Sequence, residues 1–346
     1  MHLQGFLYYK IIINFKKYLV ILKQIVYNII YHYRKGMDKM VYFWLIMGFV
    51  LLVKGADLFV DGSASLAKKF NIPPVIIGLT VVAFGTSAPE AAVSISAAMK
   101  GSNDIAIANI IGSNIFNLLA VTGISALIAP MAVKVSILKG EFPLSIVITA
   151  ILLVMCVSGG AITRVEGIIL LIIFAGFLYS MIHKAIKTDE EAEGEIKEMG
   201  AARCAAYIAA GLTGIIIGGN TVVDSAKEIA LRFGMSDMLV GLTIVSIGTS
   251  LPELVTSIVA GVKGQSDIAL GNVVGSNIFN IIFVLGMSAA VMPITAGSEA
   301  IIDTAILIAI SIVVYIMAFS AKKINRAEGA IMAAAYAGYM EYIIIR

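Results

Sequence analysis

The sequence predicts an all-α polytopic membrane protein with ten transmembrane helices arranged as two inverted five-helix repeats. Three observations predict it. Apolar runs long enough to cross a bilayer recur along the chain. Two segments of the first half reappear in the second at one constant offset. Each half parses into an odd number of spans, which turns the second copy over relative to the first.

Composition sets the class. Of 346 residues, 60% are hydrophobic and 14% are charged, against about a quarter charged in an ordinary soluble domain. In the first half, hydropathy places spans near 41–67, 72–99, 104–129, 142–158 and 163–183. In the second they fall near 204–231, 237–262, 267–292, 301–320 and 327–345. The halves are thus 37–186 and 204–346, joined by KTDEEAEGEIKEMGAAR at 187–203, the strongly polar stretch of the chain. Residues 1–36 form a basic apolar leader, cut by Lys10, Lys16, Lys17 and Lys23. It fits an interfacial helix, an extra span, or sequence upstream of a start at Met37 or Met40, and no function is assigned to it. A scattered net charge of +3 offers no face for nucleic acid. Cys156 and Cys204 are too few and too isolated for a disulfide framework. His2, His32 and His183 lie away from the polar motifs, which argues against histidine-based catalysis. No cofactor and no obligatory protein partner is expected.

The repeat is explicit. Residues 78–90 read GLTVVAFGTSAPE and residues 241–253 read GLTIVSIGTSLPE, identical at nine of thirteen positions. Residues 106–117, AIANIIGSNIFN, match 269–280, ALGNVVGSNIFN, at eight of twelve. Both pairs share an offset of 163 residues, as do Asp61 and Asp224. Five spans per copy then require a pseudo-two-fold axis in the membrane plane, the plan of many secondary transporters. Lysine and arginine set the orientation. Lys68, Lys69, Lys134, Lys139, Lys184, Lys187, Lys197, Arg203, Lys263, Lys322, Lys323 and Arg326 fall on the linker's side, against Lys100, Arg164, Arg232 and Arg346 on the other. The linker is therefore expected in the cytoplasm, in a multi-pass protein of the plasma membrane.

The motifs carry chemistry. Pro89 and Pro252 have no N–H, so each interrupts the helix that contains it and frees a carbonyl one turn earlier. Irregular backbone at membrane depth is tolerated where it lines a protein-enclosed cavity. Glu90 and Glu253 follow the prolines. An acidic side chain at mid-bilayer costs at least about 2.5 kcal/mol on insertion scales, and no lysine or arginine lies near mid-span in these helices. A dissolved cation is the natural counter-charge. Thr86, Ser87, Thr249 and Ser250 add hydroxyl oxygens, hard donors suited to Ca2+ or Na+ rather than zinc or copper. Ser113 and Asn117 share one helix face at i,i+4, as do Ser276 and Asn280. Asn114 and Asn277 are expected to point elsewhere. Gly112 and Gly275 permit close helix contact. Asp57, Asp61, Asp224 and Glu228, with Lys54 and Lys227 nearby, are expected to pair at helix ends or reach the interface.

GTSxPE and GSNxFN, each present twice, resemble the sodium/calcium exchanger branch of the Ca2+:cation antiporter superfamily, prokaryotic type. The resemblance covers about residues 40–346. It implies ten transmembrane helices around four central cation sites, with Glu90 and Glu253 as the central carboxylates. Thr86, Ser87, Ser113 and Asn117 would line the site from one half, and Thr249, Ser250, Ser276 and Asn280 from the other. The carbonyls of Ala83 and Ser246 would add Na+ ligands. Asn280 stands where archaeal and potassium-dependent members often carry aspartate, which puts a K+ requirement in doubt. The activity implied is Na+/Ca2+ antiport by alternating access, with the first and sixth spans sliding past the motif bundle. A Ca2+/H+ antiporter is the alternative, since carboxylates also carry protons. A Ca2+ channel is disfavoured because one chain supplies both symmetric halves, and an intramembrane enzyme because no nucleophile–base pair stands out.

Overall fold

The computed structural model describes residues 39–187, 199–235 and 246–345. The basic leader, most of the linker, and residues 241–245 at the start of the second acidic motif lie outside the described residues.

Among the described residues, seven helices are long and apolar enough to cross a membrane: Met40–Lys69, Asn103–Ile128, Val135–Gly159, Arg164–Ile186, Ala201–Arg232, Ser266–Val291 and Ser298–Ala321. Pro74–Thr86 and Ala88–Met99 together form one further span, bent by 50°. The second half also has the short helix Ser246–Thr249, the shorter apolar helix Leu251–Val262 and the closing helix Arg326–Ile345. The fourth span begins at Val135, earlier than the hydropathy pattern placed it, and is broken at Gly140.

Burial sorts these helices into a centre and a rim. Of the 18-residue apolar stretch within Asn103–Ile128 and within Ser266–Val291, 78% and 94% is buried, while the other five spans reach at most 39%. The two GSNIFN helices are therefore the core of the bundle. The rim turns side chains such as Val154, Ile172 and Ile316 outward, the composition expected against lipid.

Two long rim helices, Lys39–Lys69 and Ala201–Arg232, pack backbone to backbone through glycine. A methyl added at Gly55 would sit 2.6 Å from the nitrogen of Ile215, and one at Gly218 would sit 2.5 Å from that of Leu52. Gly55 and Gly218 are offset by 163, as are Leu52 and Ile215, so the contact is self-complementary like a two-fold dimer interface.

The sequence pattern did not foretell two short ribbons that tie the halves together. Met131–Ala132 pairs antiparallel with Lys323–Ile324, and Ala161–Ile162 with Ile294–Thr295. In each ribbon one half's connection is bonded to the other half's. Cys156 and Cys204 are free and buried.

Candidate functional site

The site begins with two broken helices. After Thr86 the chain turns at Ser87, φ −82° and ψ 9°, and restarts as Ala88–Met99 with Pro89 in the first turn. Ser250, φ −95° and ψ 7°, repeats this before Leu251–Val262, with Pro252 in its first turn. These dihedrals lie in the sparsely occupied bridge region. The proline tolerates the first helical turn because N–H groups there have no intrahelical partner. Glu90 and Glu253 consequently stand in the first turn of the new helices, where the positive end of the helix dipole favours a carboxylate.

Each glutamate is bound by the other half. Ser87 Oγ donates to Glu253 Oε1 at 2.7 Å and lies 2.9 Å from Ser276 Oγ. Ser250 Oγ donates to Glu90 Oε1 at 2.7 Å and lies 3.0 Å from Ser113 Oγ. Ser113 Oγ is itself 3.5 Å from Glu90 Oε1. Both glutamates and all four serines are buried, none more than 2% exposed. The two acidic kinks thus form one enclosed cluster and do not face lipid.

The threonines and a pair of asparagines brace this cluster. Thr86 Oγ1 donates to Asn272 Oδ1 at 3.0 Å, and Thr249 Oγ1 lies 3.5 Å from Asn109 Oδ1. Asn272 Nδ2 donates to the carbonyl of Glu253 at 3.3 Å and to Ser257 at 3.0 Å. Asn109 Nδ2 does the same for Glu90 at 3.4 Å and Ser94 at 2.9 Å. Asn109 and Asn272 do not stand out in the sequence motifs, although a signal is there. Asn109, Ser113 and Asn117 run i, i+4, i+8, as do Asn272, Ser276 and Asn280, one polar stripe on each central helix.

Asn114 and Asn277 correct an expectation. They do not point away from the polar centre. Asn114 Nδ2 donates to the carbonyl of Asn277 at 3.2 Å, and Asn277 Nδ2 returns the bond to Asn114 at 3.3 Å. Asn277 Oδ1 accepts from Asn117 Nδ2 at 3.1 Å, and Asn114 Oδ1 from Asn280 Nδ2 at 3.0 Å. The two central helices cross here. Asn117 and Asn280 also open π-helical segments, Asn117–Val121 and Asn280–Leu285, a helix irregularity frequent at functional sites.

The remaining predicted residues are less uniform. The carbonyl of Ala83 accepts from the backbone of Ser87 at 3.0 Å. Ser246 opens the helix Ser246–Thr249, but its side chain lies outside the described residues. Lys54 does not pair with Asp57. Lys263 reaches Asp57 at 2.7 Å and Asp61 at 2.6 Å instead, and Glu228 pairs with Arg232 rather than Lys227. Asp57 and Asp61 project from one helix onto the end of another, so spacing along their own helix did not reveal the partner.

Four buried oxygens of the cluster have no hydrogen-bond donor: Glu90 Oε2, Glu253 Oε2, Asn117 Oδ1 and Asn280 Oδ1. No lysine or arginine of the described residues forms an ion pair with either glutamate. An unpartnered buried acceptor costs about 1–3 kcal/mol, more when charged. Two from each half at corresponding positions is a set of atoms short of a positive charge.

A duplicated helical bundle whose broken helices meet acid-first at a buried centre has the plan of a polytopic membrane transporter. The family model for sodium/calcium exchanger protein matches this chain twice, over residues 40–183 and 204–345. The chain belongs to the sodium/calcium exchanger family. The sodium/calcium exchanger MaX1 of Methanosarcina acetivorans is 30% identical over 336 residues, covering 86% of this chain and 96% of the relative. Inner membrane protein YrbG of Escherichia coli is 38% identical over 263 residues, 72% of this chain and 79% of the relative. Among solved structures, the exchanger NCX_Mj soaked with zero Na+ and Ca2+ aligns with a TM-score of 0.78 at 31% identity. That alignment covers 89% of this chain and 100% of the other.

Proposed function

We propose that this protein is a secondary active antiporter that exchanges Na+ for Ca2+ by alternating access, without a K+ requirement. The observation that carries the reading is the set of four buried, donor-free oxygens on Glu90, Glu253, Asn117 and Asn280. Two carboxylates match the charge of one Ca2+, and the neutral oxygens around them are hard donors that Ca2+ and Na+ both accept. The metal-binding set is Glu90, Glu253, Thr86, Ser87, Ser113, Asn117, Thr249, Ser250, Ser276 and Asn280, with the carbonyls of Ala83 and Ser246 serving Na+.

Ca2+ and Na+ compete for the same oxygens, so the site holds one or the other. Either neutralises the carboxylates and lets the site close. An empty site keeps two uncompensated charges, which are costly in a low-dielectric interior, and resists closing. Exchange is obligatory for that reason. The bent pair, the segment ending in Leu251–Val262, and Arg326–Ile345 add three spans to the seven, giving ten in two inverted repeats, 37–186 and 204–346. The protein sits in the plasma membrane with the linker at 187–203 in the cytoplasm.

The test is 45Ca2+ uptake into proteoliposomes under imposed Na+, H+ or K+ gradients. An outward Na+ gradient drives uptake with K+ absent. Uptake driven by a pH gradient in Na+-free medium would overturn the reading in favour of Ca2+/H+ antiport, and a strict K+ requirement would overturn its K+-independent part.

A further inference from the structure

An asparagine side chain can serve a cation with its oxygen or repel it with its NH2 group, and the two ends have nearly the same shape. Which end faces the site has to be decided by a neighbour. The decision here starts at a group with only one sense, a backbone carbonyl. The carbonyl of Asn277 accepts from Asn114 Nδ2 at 3.2 Å, so the oxygen of Asn114 is the end left over. That oxygen accepts from Asn280 Nδ2 at 3.0 Å. The nitrogen of Asn280 is thereby engaged, and its Oδ1 remains as the donor-free atom. The mirror series runs from the carbonyl of Asn114 through Asn277 and Asn117 to Asn117 Oδ1. All four asparagines are buried, at most 2% exposed, so bulk solvent does not compete for either orienting bond.

We propose that Asn114 and Asn277 are positioning residues that turn the amides of Asn280 and Asn117 oxygen-first toward the transported cation. They touch no cation themselves. Each acts on the half opposite to its own, so the affinity of one half's amide is set by the other half's helix. This rests on the cation site proposed above.

The test is a double-substitution cycle read by equilibrium 45Ca2+ binding to the purified full chain. Asn114→Ala removes the group that orients Asn280 and weakens Ca2+ binding about tenfold, the scale of one misdirected buried polar group. In an Asn280→Asp background the side chain has two oxygen ends and nothing to misplace, so Asn114→Ala weakens binding by less than about threefold relative to that background. A merely structural role predicts the same loss in both backgrounds, because the bond from Asn114 to the Asn277 carbonyl is lost in each. Equal losses would overturn the proposal. Should Asn114→Ala not fold, Asn277→Ala against Asn117→Asp makes the same comparison on the other arm. Failure of the unsubstituted protein to bind Ca2+ would instead sink the exchanger reading, and this inference with it.

Discussion

The centre of the molecule and its ends treat the internal repeat differently. At the centre the two copies are interchangeable. Ser87 meets Glu253 and Ser250 meets Glu90, both at 2.7 Å, and the reciprocal asparagine bonds measure 3.2 and 3.3 Å. At the ends the copies have parted. Lys263 closes on Asp57 and Asp61, whereas its counterpart Lys100 is exposed, and in the second half Asp61 is matched by Asp224 but Asp57 is replaced by Asn220. Asp267 pairs with Lys134 at 3.0 Å. Its counterpart Asp104 lines a cavity of about 320 Å3 with Glu299 and Asp303, opposite Gly297, where the first half has Lys134. A central cluster built from both halves keeps its two-fold pattern because each half completes the other. Half-exposed ion pairs at the ends contribute little to stability, so they are free to diverge.

The strongest way to break this comparison is to neutralise one carboxylate. Glu90→Gln and Glu253→Gln each lower exchange by at least about a hundredfold, since a charge aimed at the transported ion is worth several kcal/mol in a buried site. Flux assays on both variants check it, and near-normal transport by either contradicts an equivalent centre.

The rim helices permit a test of intermediate size. Gly55→Ala and Gly218→Ala each place a methyl against the opposing backbone, at 2.6 and 2.5 Å. Each lowers stability by about 1–3 kcal/mol, the usual cost of overpacking. Thermal unfolding should register equal losses. A clear inequality would show that the two-fold pattern ends at the core.

The smallest effects sharpen the contrast at the ends. Lys263→Met removes the partner of Asp57 and Asp61, and shifts the exchange rate by about two- to fivefold, as befits a partly exposed pair worth about 1 kcal/mol or less. Lys100→Met changes it by less than that. Equal effects would mean that the asymmetry of the ends has no consequence for transport.

Local features are legible in the amino-acid sequence alone. Apolar runs locate the spans because a bilayer demands length and hydropathy of each helix separately. Pro89 and Pro252 announce the breaks because a missing N–H acts within one turn. Glu90 and Glu253 are conspicuous because an acid without a base in an apolar run is costly wherever the run goes. The constant offset then makes the repeat plain. Partners are another matter. That Ser87 serves Glu253, that Asn114 and Asn277 face each other, that Lys263 rather than Lys54 meets Asp57, and that four two-residue strands bind the halves are contacts between segments distant in sequence. A side chain's identity and its position on its own helix say nothing of which neighbouring helix it will meet. The crossing of the two central helices decides that, and the crossing follows from how the whole bundle packs.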